Sequence, residues 1–171
     1  MSKYDGYMGK VLFVDLTSRT HSLFPWTDED RKRTLGGKVM AADILLHHIH
    51  PGMKAFDADN WLVVTTGPLT GCGCPNSSRF NISTISPLTG ILTSSNCGGD
   101  FGLWLKRAGY DAVIFTGKSE TPVIVNIQRD DVVFTDASNL WGLTTSETQE
   151  KLPKRTGKLV IGPAGENKVL Y

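Results

Sequence analysis

The residues best equipped for chemistry lie between Gly67 and Gly102, a stretch dense in glycine that also carries Arg79 and Asn96. Glycine lets backbone approach a ligand closely and leaves N–H groups free to point at it. The run Ser95-Asn96-Cys97-Gly98-Gly99 reads as a strand end that feeds a helix. Such a junction gathers unpaired donors and a positive helix end at one spot, a ready site for phosphate. Arg79 brings a planar guanidinium suited to a phosphate or a flat heterocycle. Asn96 offers oxygen to a hard cation such as Mg²⁺ beside that phosphate. The plainer reading stands next to this one, because glycine-rich turns are often only turns.

Other constellations are weaker. A dinucleotide fingerprint needs three glycines and a later acid. Cys97 occupies the first glycine position, Gly99 and Gly102 fit the other two, and Glu120 is the acid. Cys72, Cys74 and Cys97 lack a fourth ligand and a histidine at finger spacing, so small buried or inert thiols are expected rather than a metal centre. His47, His48 and His50 cluster where a helix should end, which favours a capping role near its carbonyls. No pair of acids and no nucleophile elbow suggests catalysis within these residues.

The elements that must position these groups can be read from patterning. Gly9 to Leu16 and His21 to Phe24 form a hairpin about the turn at residues 17–20. Thr27, followed by Asp28, Glu29 and Asp30, caps a short helix that breaks at Gly36-Gly37, and a second helix runs from Lys38 to His48. Strands are expected at Trp61–Thr66, Arg79–Ser86, Ile91–Ser94, Asp111–Thr116, Val123–Ile127, Val132–Thr135 and Lys158–Ile161. Helices are expected from about Phe101 to Ala108 and from Thr144 to Lys154, with a tight turn over residues 162–165. Pro68-Leu69-Thr70-Gly71 recurs as Pro87-Leu88-Thr89-Gly90. It forms either two similar turns or a pair framing one site. Short connections between strands predict α+β with antiparallel pairing, and no linker divides the chain, so residues 1–171 are expected to form one domain.

The formal net charge of +1 comes without any block of like charges, which gives no electrostatic basis for binding nucleic acid or an anionic membrane. No apolar run approaches the ~20 residues that span a bilayer, and none follows the first charges as a secretory leader would. Three cysteines, an odd number, fit reduced thiols in a cytoplasm better than a disulfide framework.

Taken together, several segments resemble the aldehyde:ferredoxin oxidoreductase family. They are Gly9-Lys10-Val11-Leu12-Phe13-Val14-Asp15-Leu16-Thr17, Leu35-Gly36-Gly37, Thr66-Gly67-Pro68-Leu69-Thr70-Gly71, Ser78-Arg79-Phe80-Asn81 and Ser86-Pro87-Leu88-Thr89-Gly90. Ser95-Asn96-Cys97-Gly98-Gly99, Ala108-Gly109-Tyr110-Asp111-Ala112, the run 136–142 and Ile161-Gly162-Pro163-Ala164-Gly165-Glu166-Asn167 follow in order. The resemblance covers essentially the whole chain. It implies an N-terminal pterin-binding domain built as a four-layer αββα sandwich, two mainly antiparallel sheets with outer helices. On that sandwich rests a bis-pterin tungsten or molybdenum cofactor with Mg²⁺. By the same resemblance Arg79 contacts the pterin, Asn96 helps hold the Mg²⁺ and Gly98 gives close backbone contact. Members of the family oxidise an aldehyde to a carboxylic acid and pass electrons through a [4Fe–4S] cluster to ferredoxin or another iron–sulfur protein. The cluster ligands and catalytic side chains are expected outside this chain, in C-terminal domains or a partner chain. The isolated chain is then expected to be inactive, with a bare apolar face that favours dimers or aggregates. A non-catalytic remnant and a separate subunit are the alternatives. Lys38-Val39 departs from the family's usual Arg-Gly, and Cys97 replaces a small non-thiol residue.

Overall fold

The computed structural model describes residues 4–129 and 131–170. β1 (Val11–Asp15) and β2 (Thr20–Phe24) form the expected antiparallel hairpin. α1 (Asp28–Thr34) starts with a complete capping box, in which the Thr27 hydroxyl accepts from Asp30 N–H and the Asp30 carboxylate accepts from Thr27 N–H. α2 (Gly37–Leu46) follows at once, and β3 (Leu62–Thr66), β4 (Phe80–Ile85), β5 (Leu92–Cys97), α3 (Phe101–Arg107) and β6 (Ala112–Thr116) complete the main body. β7 (Val123–Ile127) and β8 (Val132–Asp136) make a separate two-stranded ribbon, after which come a 3-10 turn, α4 (Thr145–Lys151) and α5 (Pro163–Glu166).

One six-stranded sheet carries the molecule, in the order β2-β1-β6-β3-β4-β5. Alternation along its strands divides the core in two. Val11, Val63, Ala112 and Ile114 point to one face and bury the apolar side of α2 through Met40, Ala41, Ile44 and Leu45. Leu12, Val14, Val64, Phe80 and Val113 point to the other, where Leu105 and Phe101 of α3 and the inner residues of the β7–β8 ribbon cover them. The expected α+β class holds. Among the described residues the sheets number two, six-stranded and two-stranded.

Four expectations about elements need correction. Pairing is not antiparallel throughout, because β1 lies parallel to β6 in the register Val11↔Ala112 to Asp15↔Thr116. β6 does not join β7 in a hairpin, since β1 and β3 already occupy both of its edges. β5 runs three residues past Ser94 to Cys97, because backbone pairing with β4 extends over polar positions that carry no hydrophobic signal. The segment 158–161 is not a strand. It is tied down instead by Lys158, whose ammonium donates to the carbonyl oxygens of Gln149 (2.6 Å) and Leu152 (3.3 Å). Among the described residues, no helix is long and apolar enough to cross a membrane.

A buried ion cluster ties together the sheet end where β3 finishes and β1 and β6 begin. The Asp111 carboxylate accepts from Met8 N–H (2.9 Å), Gly9 N–H (2.8 Å) and the Lys106 ammonium (2.7 Å). Its backbone oxygen accepts from both the N–H and the hydroxyl of Thr66. Arg31 approaches the same carboxylate to 3.9 Å. The N-terminal segment, α1, α3, β3 and β6 thus meet on one residue.

Candidate functional site

At that same end of the sheet, on the face that α2 covers, a cleft of about 330 Å³ opens. The end of β3, the turn after it, the start of β4 and the start of α2 surround it. Registry explains why its polar groups align. Thr65 sits opposite Asn81 and Asn81 opposite Asn96, so three side chains form a row across β3, β4 and β5 on one face of the sheet.

The members of that row are not equivalent. Asn81 is buried and fully engaged, donating to Ser94 Oγ (2.7 Å) and to the Ser95 carbonyl (3.1 Å) and accepting from the Ser83 hydroxyl (2.8 Å). Thr65 donates to the Gly37 carbonyl at 2.9 Å and so pins α2 to the sheet. Asn96, on the outermost strand, is exposed, and among the described residues its side chain has no protein partner. Arg79 is held by its backbone, whose carbonyl accepts from the Thr70 hydroxyl at 3.1 Å, while its guanidinium is likewise without a protein partner. The structure therefore brings Arg79 and Asn96 to one cleft. Gly98 lies one residue past the end of β5, outside the lining, with open space where a Cβ would stand.

Two features of the cleft escaped the reading of the sequence. The helix start in its wall belongs to α2 and not to α3, whose body packs on the opposite face of the sheet. Gly36 gives α2 no side-chain cap and its first turn holds no acid, in contrast to the boxed and acidic start of α1. Its first N–H groups are therefore free to meet an anion. A Cβ on Gly36 would stand 2.5 Å from the Thr66 carbonyl oxygen, so glycine is what lets the helix start so close to β3. Lys38 is the second feature: its exposed side chain lines the cleft and has no protein partner among the described residues. The signal for both lay in the uncapped Gly36-Gly37 pair. Lys38 and Arg79 are the charged residues of the lining, which includes no acid.

Several alternatives separate cleanly. The turns 68–71 and 87–90 lie at opposite ends of β4, so only the first borders the cleft. A dinucleotide site at 97–102 is contradicted by topology, because β5 and β6, which flank α3, are not neighbours in the sheet. His47 caps as expected through Nδ1 at 2.7 Å from the Asp43 carbonyl, and His48 stacks on Trp61 with ring centroids 3.6 Å apart. The thiols depart from expectation in burial alone. Cys72, Cys74 and Cys97 are free, as reduced thiols should be, but exposed rather than buried. Among the described residues no three His, Cys, Asp or Glu side chains are grouped to hold a metal ion.

Comparison with known proteins gives a consistent result. Residues 11–171 match the family model described as aldehyde ferredoxin oxidoreductase, N-terminal domain. A tungsten-containing aldehyde ferredoxin oxidoreductase of Pyrococcus abyssi is 41% identical over 97% of this chain and 28% of its own length. One from Pyrococcus horikoshii is 40% identical over the same shares. Among solved structures, the active-site complex BamBC of benzoyl coenzyme A reductase, bound to 1,5-dienoyl-CoA, superposes with a TM-score of 0.82. It is 36% identical, over 85% of this chain and 22% of that one. The chain thus spans little more than a quarter of the curated relatives it matches.

Proposed function

The chain belongs to the aldehyde ferredoxin oxidoreductase family, as its N-terminal domain, and from that premise we propose that it is the cofactor-cradling base of a tungsten-pterin oxidoreductase. The observation that carries this reading is the cleft, where two unpaired cations and an uncapped helix start converge with no opposing acid. Those residues fit the phosphate end of a pterin cofactor. Arg79 donates to the cofactor as a charge-assisted fork, Lys38 adds a compact positive charge, and the first turn of α2 supplies backbone N–H groups. Asn96 would offer oxygen to a Mg²⁺ accompanying that phosphate end, while Gly98 would keep the adjoining backbone bare. Asn81, with every donor occupied, holds β5 so that Asn96 faces the cleft. The bound group supplies two-electron redox chemistry at the metal, and this domain binds and orients it.

The remainder of the reading concerns the longer protein. We assign it aldehyde oxidation to a carboxylic acid, with electrons leaving through a [4Fe–4S] cluster to ferredoxin. Tungsten is preferred over molybdenum because the curated relatives are named for tungsten. The β7–β8 ribbon, packed over the face opposite α2, would begin the second sheet of the four-layer arrangement. Substrate choice belongs to the parts beyond this domain, since relatives named for an aldehyde and for benzoyl coenzyme A share it.

The test is metal content. In the full-length protein, purified anaerobically, Arg79→Ala should cut tungsten per protein at least about tenfold, the scale of one lost charge-assisted contact. Tungsten and pterin retained at the wild-type ratio would remove Arg79 from the site.

A further inference from the structure

On the other side of the turn 68–70, a second cleft of about 310 Å³ contains Cys72 together with Lys106, Arg107 and Arg129. No acid is among its lining residues. The Lys106 ammonium is committed to Asp111 and to the Gly6 carbonyl. Arg107 rests on the Trp104 ring at 4.9 Å, and both arginines are exposed. Cys72, also exposed, donates its thiol to the Leu69 carbonyl at 2.8 Å. Cys74 follows after a single glycine, and Gly73 takes a φ of +88° with open space around it. That conformation turns the chain between the two cysteines, and the Cα spacing available at this sequence separation is one a disulfide can span. Hydrogen bonding from the Cys74 backbone and side chain lowers the Cys72 thiol below its ordinary range, whereas the neighbouring Cys72 pushes Cys74 up.

We propose that Cys72 and Cys74 form a reversible dithiol–disulfide pair that takes its oxidising equivalents from a small disulfide bearing carboxylates, recruited by Arg107 and Arg129. The Cys72 thiolate attacks one sulfur of that disulfide. A Cys72–sulfur bond forms, the reagent's sulfur–sulfur bond breaks, and one thiolate departs and takes up a proton. Cys74 then loses its proton and attacks the Cys72 sulfur, expelling the second thiolate. Two cysteine thiols have lost two electrons and two protons, and the small disulfide has gained both as two thiols. A ring closed over so few residues is strained and hence easily reduced again. The loop it tightens joins Thr70 to Ser77 and Arg79, which line the first cleft.

The experiment uses the reduced full chain, treated anaerobically with oxidised glutathione, alkylated and digested with trypsin. Cleavage after Lys54, Arg79 and Lys106 places Cys72 and Cys74 on peptide 55–79 and Cys97 on peptide 80–106 as an internal control. Peptide 55–79 should become two hydrogens lighter and refuse alkylation before Cys97 reacts. Cys74→Ser should halt at a glutathione adduct on Cys72. Arg107→Ala with Arg129→Ala should slow the reaction at least about threefold at low salt, the difference vanishing at high salt. Equal reactivity at Cys72 and Cys97 with no internal disulfide would overturn the pairing. An uncharged disulfide reacting as fast as glutathione would overturn the recognition by arginine.

Discussion

Asp111 shows how much a single side chain carries here. It is 2% exposed, and its nearest charges, Lys106 and Arg31, are 5% and 4% exposed. Lys106 is well matched, with both contacts at hydrogen-bond length. Arg31 is not, for its Nε and Nη2 lack an acceptor although Nη1 reaches Asp28 at 3.1 Å. Removing one partner of a buried pair strands the other, whereas replacing a poorly paired charge by an apolar side chain removes an uncompensated cost. Asp111→Asn should therefore lower the unfolding free energy by about 3–5 kcal/mol in denaturant titrations. Arg31→Met should change it by less than about 1 kcal/mol in either direction. Comparable losses in both would mean that Arg31 is better satisfied than its geometry indicates.

At the scale of elements, α1 and α2 show opposite treatments of a helix start. In α1 the Thr27 hydroxyl holds the Asp30 carboxyl below its usual range, outweighing the opposing effect of burial. A carboxyl depressed by folding stabilises the fold fully above its ordinary value near 3.8 and loses that contribution as pH falls through the lower native value. Thr27→Ala should cost about 1 kcal/mol at neutral pH and a shrinking amount below about pH 4, read from denaturation midpoints across pH. A penalty constant with pH would show that the carboxyl is not coupled to the cap. Such caps were plain in the sequence, as Thr27 and Thr144 stood three residues before Asp30 and Glu147. The hairpin and the apolar strands were equally readable from alternation. The parallel β1–β6 pair was not, because side-chain period reports which face is buried and not which strand lies alongside. The last residues of β5 were hidden for a related reason: Ser95 and Asn96 pair through backbone while their side chains stay exposed. Arg79 and Asn96 were singled out, but the helix beside them was misassigned, since a pair of glycines stands at or just before the start of both α2 and α3 and only the fold tells which one turns toward the cleft.

For the whole molecule, surface area is informative. A compact monomer of 18.7 kDa exposes about 8,300 Å², whereas this chain exposes 10230 Å². The exposed surface includes large apolar side chains, among them Leu46, Leu69, Leu88, Ile91 and Ile161, each more than half exposed. Surface of that kind is normally covered. The 171-residue chain produced alone should bind a hydrophobic dye and sediment as dimers or larger species. A dye-silent monomer would mean that these side chains belong in water. The parallel pairing of β1 with β6 has a consequence for biosynthesis. β1 leaves the ribosome some hundred residues before its inner neighbour, which at usual elongation rates is a wait of about 5–20 s. During that interval the inner edge of β1 is unpaired, and Leu12 and Val14 stay bare until α3 and the β7–β8 ribbon cover them, so the nascent hairpin is a natural client for a chaperone and an easy target for a protease.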